Sequence, residues 1–274
     1  MERRIAVIGL DCASPGLLLK KWIDLLPNIK MLVESGISGS LRSCDPPITI
    51  PAWSVMFSGV DPGVLGVYGF RNRVDYSYNS LKIADSNWIR KMRIWDYFTQ
   101  NGKNSIVLGV PQTYPVNPVR GIMIAGLLAD ELNTRSVFPA NMIETIRKKV
   151  PDYRFDIENF RNSAKDTLLK QIYKISRARF KLARYLLDTA AWDSFIFIET
   201  ALDRLQHAFW QFLDPESINF EANSRYENVI LKYYQYIDFE IGTLLKRFDT
   251  NTDILIVSDH GAKAFKGGFC INQW

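Results

Sequence analysis

The chain has 274 residues, enough to bury a large core in one or two domains, and its 47% hydrophobic and 23% charged residues are those of an ordinary globular protein. A net charge of +5 suits an anionic partner, but the basic residues are spread along the chain and no nucleic-acid-reading motif appears. No apolar run approaches a membrane segment, and the three scattered cysteines, Cys12, Cys44 and Cys270, make no disulfide framework and fit a reducing, cytoplasmic setting.

Residues 4–10 form a short apolar run that reads as the first strand; it is too short for a signal-peptide core and ends at an acid. That acid, Asp11, fits either a cap for the next segment or a metal ligand at the carboxyl end of a strand. Residues 17–35 read as one or two helices, the second opened by Leu26-Pro27-Asn28 and ended by Gly36. The alternation over 37–43 predicts a second strand. In 44–59 the prolines impose an extended start, and Pro51 suits the first residue of a helix, which puts Thr49 just before that helix's N-terminus. Amide dipoles there favour a phosphate or an alkoxide, although an N-capping threonine fits as well.

The loop over 61–70 is glycine-rich but lacks the patterns of a P-loop or a dinucleotide-binding turn. A helix is predicted over 87–101 and strands over 105–110 and 121–125, with mostly loop over 111–135. The stretch 138–193 is polar, basic and helical, with helices near 140–149 and 164–189. It reads as a cap inserted between two pieces of an α/β core, 1–137 and 194–274. A buried strand over 194–199 leads into a helix opening near Ala201. On that helix Asp203 and His207 are four residues apart and share a face, which fits joint binding of one ion or a surface pair worth a few tenths of a kcal/mol. A long helix over roughly 223–248 precedes the last strand, Ile254–Val257, which stops at Asp259, His260 and Gly261. His207 and His260 are the two histidines of the sequence, so each carries information.

Taken together, the strand ends supply a hydroxyl near a helix N-terminus, three carboxylates and two imidazoles. That set suits a two-metal phosphoryl-transfer site, in which one ion lowers the pKa of a hydroxyl nucleophile and the other polarises the phosphoryl oxygen. The expected fold is a mostly parallel α/β sheet with helices on both faces.

The ordered motifs Gly-Leu-Asp at 9–11, Pro-Pro-Ile-Thr-Ile-Pro-Ala-Trp at 46–53, Ser-Gly-Val-Asp-Pro at 58–62, Asp203-x-x-x-His207 and Ser-Asp-His-Gly at 258–261 resemble the alkaline phosphatase superfamily. Within it they are most similar to the type I phosphodiesterase/nucleotide pyrophosphatase proteins. The resemblance implies that Asp11, Thr49, Asp259 and His260 surround one ion and that Asp203 and His207 belong to a second, both zinc or, alternatively, manganese. Thr49 would carry a phosphothreonine intermediate, and the substrate would be a small anionic phosphoester. Arg71, Arg73 and Tyr68 are candidate substrate contacts, with specificity placed in 63–80 and 138–193.

Three features depart from the family. Its Pro-x-x-His-Gly loop is Pro62-Gly-Val-Leu-Gly66 here, and Ala52 stands where many relatives carry a phosphate-contacting Asn. A third histidine of the second ion comes from further along in relatives, so the core is expected to be truncated at its C-terminus. A sulfatase is disfavoured because Cys44-Asp-Pro-Pro-Ile48 lacks the arginine of the Cys-x-Pro-x-Arg signature. A phosphonate hydrolase or phosphomutase would use similar metals, and a mutase of this superfamily would show serine at position 49. A non-catalytic member that binds an anionic ligand or a partner is the reading from another class.

Overall fold

The computed structural model describes residues 3–77 and 79–271. Its strands, in chain order, are β1 (Arg4–Leu10), β2 (Arg71–Arg73), β3 (Leu81–Ile83), β4 (Ser105–Leu108), β5 (Gly121–Ile124), β6 (Val137–Phe138), β7 (Ser194–Glu199) and β8 (Thr252–Val257). Six of them form a sheet in the order β6-β5-β4-β7-β1-β8, parallel throughout except for the antiparallel β5–β6 edge, while β2 and β3 pair as a separate antiparallel hairpin.

The central strands are apolar on both sides because both faces are covered. Ala6, Ile8 and Leu10 of β1, with Phe195 and Phe197 of β7, join one core cluster. Ile196 and Ile198 of β7 and Val107 of β4 join the other. The first face is covered by α1 (Pro27–Ser35), α5 (Met142–Lys149), α6 (Lys165–Thr189), α7 (Ala201–Phe209) and α8 (Val229–Leu245). The second is covered by α2 (Thr49–Ser58) and α4 (Ile94–Gln100), through Trp53, Phe57 and Trp95. A short α3 (Pro62–Leu65) follows α2, with Asp61 accepting from the Val64 N–H as its cap. The architecture is the expected mostly parallel sheet with helices on both faces. Within the 138–193 stretch, α6 lies directly on the sheet, with Phe180 edge-on to Phe197 at 5.0 Å between ring centroids.

Several local expectations are corrected. Residues 37–43 form no strand: Ile37 and Leu41 are exposed and no neighbouring strand takes up their backbone groups, so alternation alone had nothing to pair with. The helix expected over 87–101 is confined to α4, because the Asp96 carboxylate accepts from the Arg93 N–H and starts the helix there. Thr49 is the first residue of α2 rather than the one before it, and Pro51 lies inside the first turn. The 223–248 helix shortens to α8. Among the described residues, no helix is long and apolar enough to cross a membrane.

Candidate active site

β7, β1 and β8 run side by side, and their register pairs Leu10 with Glu199 and Gly9 with Val257. Their carboxyl ends therefore finish level, and the next residues of each strand meet above the sheet. The Asp11 N–H continues the ladder by donating to the Glu199 carbonyl at 3.0 Å. Its side chain is fully buried, and Oδ2 accepts from Trp53 Nε1 at 3.1 Å. Gly9 makes that contact available: a Cβ there would lie 2.2 Å from Ile198 Cδ1 and 2.5 Å from the Trp53 ring. Cys12 then turns the chain away with φ at 67°, a left-handed conformation uncommon for a residue with a side chain.

The β8 exit is tied to the β1 exit. Asp259 Oδ1 accepts from the Cys12 N–H at 3.1 Å, and Ser258 Oγ accepts from the Ala13 N–H at 2.9 Å while donating to the His260 carbonyl. His260 Nδ1 lies 3.2 Å from the Gly261 carbonyl, so its N–H belongs there and Nε2 keeps its lone pair. Around Nε2 are Thr49 Oγ1 at 3.1 Å, Asp259 Oδ2 at 3.3 Å and Asp11 Oδ1 at 3.5 Å. Thr49 is buried at the start of α2, where the first amides have no intrahelical acceptor. From β7, Glu199 accepts from the Ala201 N–H and opens α7, which carries buried Asp203 and, one turn on, a His207 side chain that is 63% exposed. His207 Nε2 lies 3.4 Å from Asp203 Oδ1.

Asp11 Oδ1, Asp259 Oδ2 and Asp203 Oδ1 are all buried without a hydrogen-bond donor. An orphaned buried acceptor costs about 1–3 kcal/mol or more, and three converging carboxylates add mutual repulsion. A divalent cation removes both costs, and the donor set is oxygen, nitrogen and sulfur at coordinating range. Ligand atoms of Asp11, Asp259 and His260 lie within 4.8 Å of one another, as do those of Cys12, Asp203 and His260. The residues present fit the implied ions.

The acids record this crowding. Burial, then the charges of Asp259 and Asp203, hold the Asp11 carboxyl well above the usual range, against the pull of the Trp53 hydrogen bond and Arg204. Burial pushes Asp259 up to about 6, against the His260 charge and the Cys12 amide. At Asp203 burial also acts upward, but the His207 imidazole beside it and the charges of His260 and Arg204 outweigh it, leaving the carboxyl below its ordinary value. The nearby Asp203 carboxylate in turn raises His207.

Above these groups lies a cleft of about 580 Å³, lined by Thr49, His207, His260, Phe70, Trp210 and Lys263 among others. A separate concavity beside Arg42, Cys44 and Asp61 holds none of the converging groups. Asp11, Thr49, Asp203, His207, Asp259 and His260 are thus brought together. Tyr68, Arg71 and Arg73 are exposed and do not line the cleft; from that loop Phe70 does. Sequence reasoning missed Cys12, Trp53 and Gln206, whose amide donates to the Cys12 carbonyl. The available signal was proximity: Cys12 follows Asp11, Trp53 is one helical turn past Thr49, and Gln206 lies between Asp203 and His207. It also missed Arg204, held by both oxygens of Asp156.

Two solved structures of phosphonoacetate hydrolase from Sinorhizobium meliloti 1021, one in complex with phosphonoformate and one with phosphonoacetate, superpose with a TM-score of 0.58 at 18% identity. The match covers 95% of this chain and 56% of those, so the chain spans about half their length. That likeness is one of fold. No curated protein matches the sequence. The sequence profile of the type I phosphodiesterase / nucleotide pyrophosphatase family matches residues 5–274, and the chain belongs to that family.

Proposed function

We propose that the chain is a divalent-metal-dependent phosphoryl-ester hydrolase that works through a phosphothreonine at Thr49. The observation that carries this reading is the convergence around His260 of three buried carboxylates that each have an unpartnered oxygen, Asp11 and Asp259 beside the Nε2 that faces the Thr49 hydroxyl and Asp203 within 4.8 Å of the ring. In this reading Asp11, Asp259, His260 and the Thr49 oxygen hold one ion, and Asp203 and His207 contribute to a second, zinc or manganese. Bound ions would lower the pKa of the Thr49 hydroxyl and offset the charge of the phosphoryl oxygens.

The protein's own part is positional. Thr49 sits at a helix N-terminus, whose partial positive charge favours an anionic phosphoryl group beside it. The Thr49 oxygen bonds to phosphorus as the leaving oxygen departs; water then attacks phosphorus and the threonine ester breaks. Lys263, at the cleft mouth, supplies a charge for the substrate. Tyr68, Arg71 and Arg73 remain candidates for substrate groups that extend outward. A cytoplasmic setting belongs to the same reading and keeps all three cysteines as the free thiols seen here.

Phosphonate hydrolysis is the second reading, favoured by the phosphonates in the superposed structures. One assay separates the two: metal-loaded chain offered bis-p-nitrophenyl phosphate, p-nitrophenyl phosphate and phosphonoacetate. Turnover of a nitrophenyl ester with acid-stable label on Thr49 supports the proposal. Turnover of phosphonoacetate alone replaces it with the second reading, and binding without turnover of any of them leaves the non-catalytic anion-binding reading.

A further inference from the structure

We infer that the Cys12 sulfur is a protein ligand of the ion held by Asp203 and His207, making that position a mixed Asp–His–Cys site for a thiophilic divalent ion. The inference rests on the metal-site reading proposed above and adds a donor to it.

Cys12 is buried, with 4% of its surface exposed, yet it lines the cleft. Its sulfur lies within 4.8 Å of an Asp203 oxygen and of a His260 ring nitrogen. An ion with a bond of about 2.3 Å to sulfur and about 2.1 Å to oxygen joins donors up to about 4.4 Å apart, so a shift of a few tenths of an ångström lets the sulfur and Asp203 share one ion, while the exposed His207 side chain reaches it by a change of rotamer. Asp203 independently points to a ligand. The residue is 8% exposed, its Oδ1 is buried with no hydrogen-bond donor, and a carboxylate oxygen of it lies within 4.8 Å of the sulfur. Asp203 is also the residue that His207 approaches, so it stands between the imidazole and the thiol.

His260 Nε2 is already surrounded by Thr49, Asp259 and Asp11 and does not serve both ions. Zinc accepts carboxylate, imidazole and thiolate donors together, and Asp203, His207 and Cys12 supply one of each. The backbone supports the assignment. Cys12 occupies a left-handed conformation that glycine adopts freely, and its carbonyl is pinned by the Gln206 amide, so the sulfur is held where the turn places it. On coordination the S–H bond breaks, the sulfur–metal bond forms and the proton leaves to the buffer. A sulfur donor shifts preference toward zinc, cadmium and cobalt and away from magnesium and manganese, which the oxygen-rich Asp11–Asp259 position tolerates better.

The test is a titration of the chelator-stripped chain with Co(II), with stoichiometry from equilibrium dialysis and near-ultraviolet absorption read at each step. The expected result is two bound ions and a thiolate-to-cobalt charge-transfer band that grows with the second. That band disappears in Cys12→Ser and in Cys12→Gly and persists in Cys44→Ser and Cys270→Ser. Cys12→Gly suits the left-handed backbone and leaves no side-chain donor at all, whereas serine keeps an oxygen there. In both Cys12 variants the second ion binds about tenfold or more weakly. Two bound ions with no band, or a band that survives Cys12→Gly, overturns the assignment while leaving the metal-site reading intact. Failure to bind any Co(II) overturns that reading and this one with it.

Discussion

Asp11, Asp259 and His260 are carried by the ends of two adjacent strands, locked together by the Cys12–Asp259 and Ala13–Ser258 hydrogen bonds, and Asp11 and Asp259 are almost fully buried. Asp203 and His207 ride a helix, and the outer member of that pair is mostly in solvent. The first half of the site is preorganised by the sheet; the second depends on a side chain with rotamer freedom. The comparison teaches that a sheet fixes donors on separate segments by register, whereas a helix fixes only the spacing of donors on its own face.

The largest expected effect falls on Thr49, which adjoins the buried half. Thr49→Ala should lower turnover by about 10³-fold or more and abolish threonine phosphorylation, with metal content within about twofold of the parent. Full turnover in that variant would remove Thr49 from the chemistry. The next largest separates the two halves. Asp259→Asn should weaken the tighter ion by about a hundredfold, because the isosteric amide cannot supply the charge that Oδ2 directs at the site. Asp203→Asn should leave that ion within a few-fold and weaken the other. Calorimetric titration of both variants decides it, and equal losses at both steps would erase the distinction.

A smaller effect tests the support beneath Asp11. Trp53→Phe keeps the ring that stacks on Phe57 at 5.9 Å but removes the N–H that Asp11 Oδ2 accepts. Metal affinity of the buried half should fall about tenfold, and stability by about 1–2 kcal/mol. An unchanged affinity would show that the strand alone orients Asp11.

The same contrast explains what was legible beforehand. Asp11, Asp259 and His260 follow branched apolar runs, and such runs mark buried parallel strands whose carboxyl ends build sites. Asp203 and His207 were legible from their four-residue spacing. Trp53 was not, because its role needs the close approach that Gly9 permits, a relation between segments with no local pattern. Cys12 was not, because a buried cysteine reads as core until Asp203 is known to face it. The 37–43 stretch failed in the opposite sense: its pattern is local and clear, but a strand requires a partner that the fold does not bring.

The last predicted effect is the dependence of stability on pH without metal, and its sign is set by the raised groups Asp259, Asp11 and His207. Asp259 has an ordinary value of 3.8 and is pushed to about 6 in the folded chain. The folded state therefore binds more protons than the unfolded state between those values, and stability falls as pH rises through the window. Asp259's contribution is full below 3.8 and lost above about 6; Asp11, also raised, acts in the same direction. Asp203 is depressed, so its contribution runs the other way: present above the ordinary value and lost as pH falls through the folded one. With chelator present, the melting temperature should thus rise on acidification from neutral pH to about 5, by an amount on the order of 1–3 kcal/mol in stability. Saturating metal should reverse the slope, since protons then compete with the ion for Asp11 and Asp259. Asp259→Asn should flatten the chelated profile, and Asp203→Asn should leave it no steeper, since Asp203 titrates below the window and its charge helps to raise Asp11 and His207. A chelated protein that grows monotonically less stable from pH 7 to pH 5 would show that the buried carboxylates are not crowded as the geometry requires.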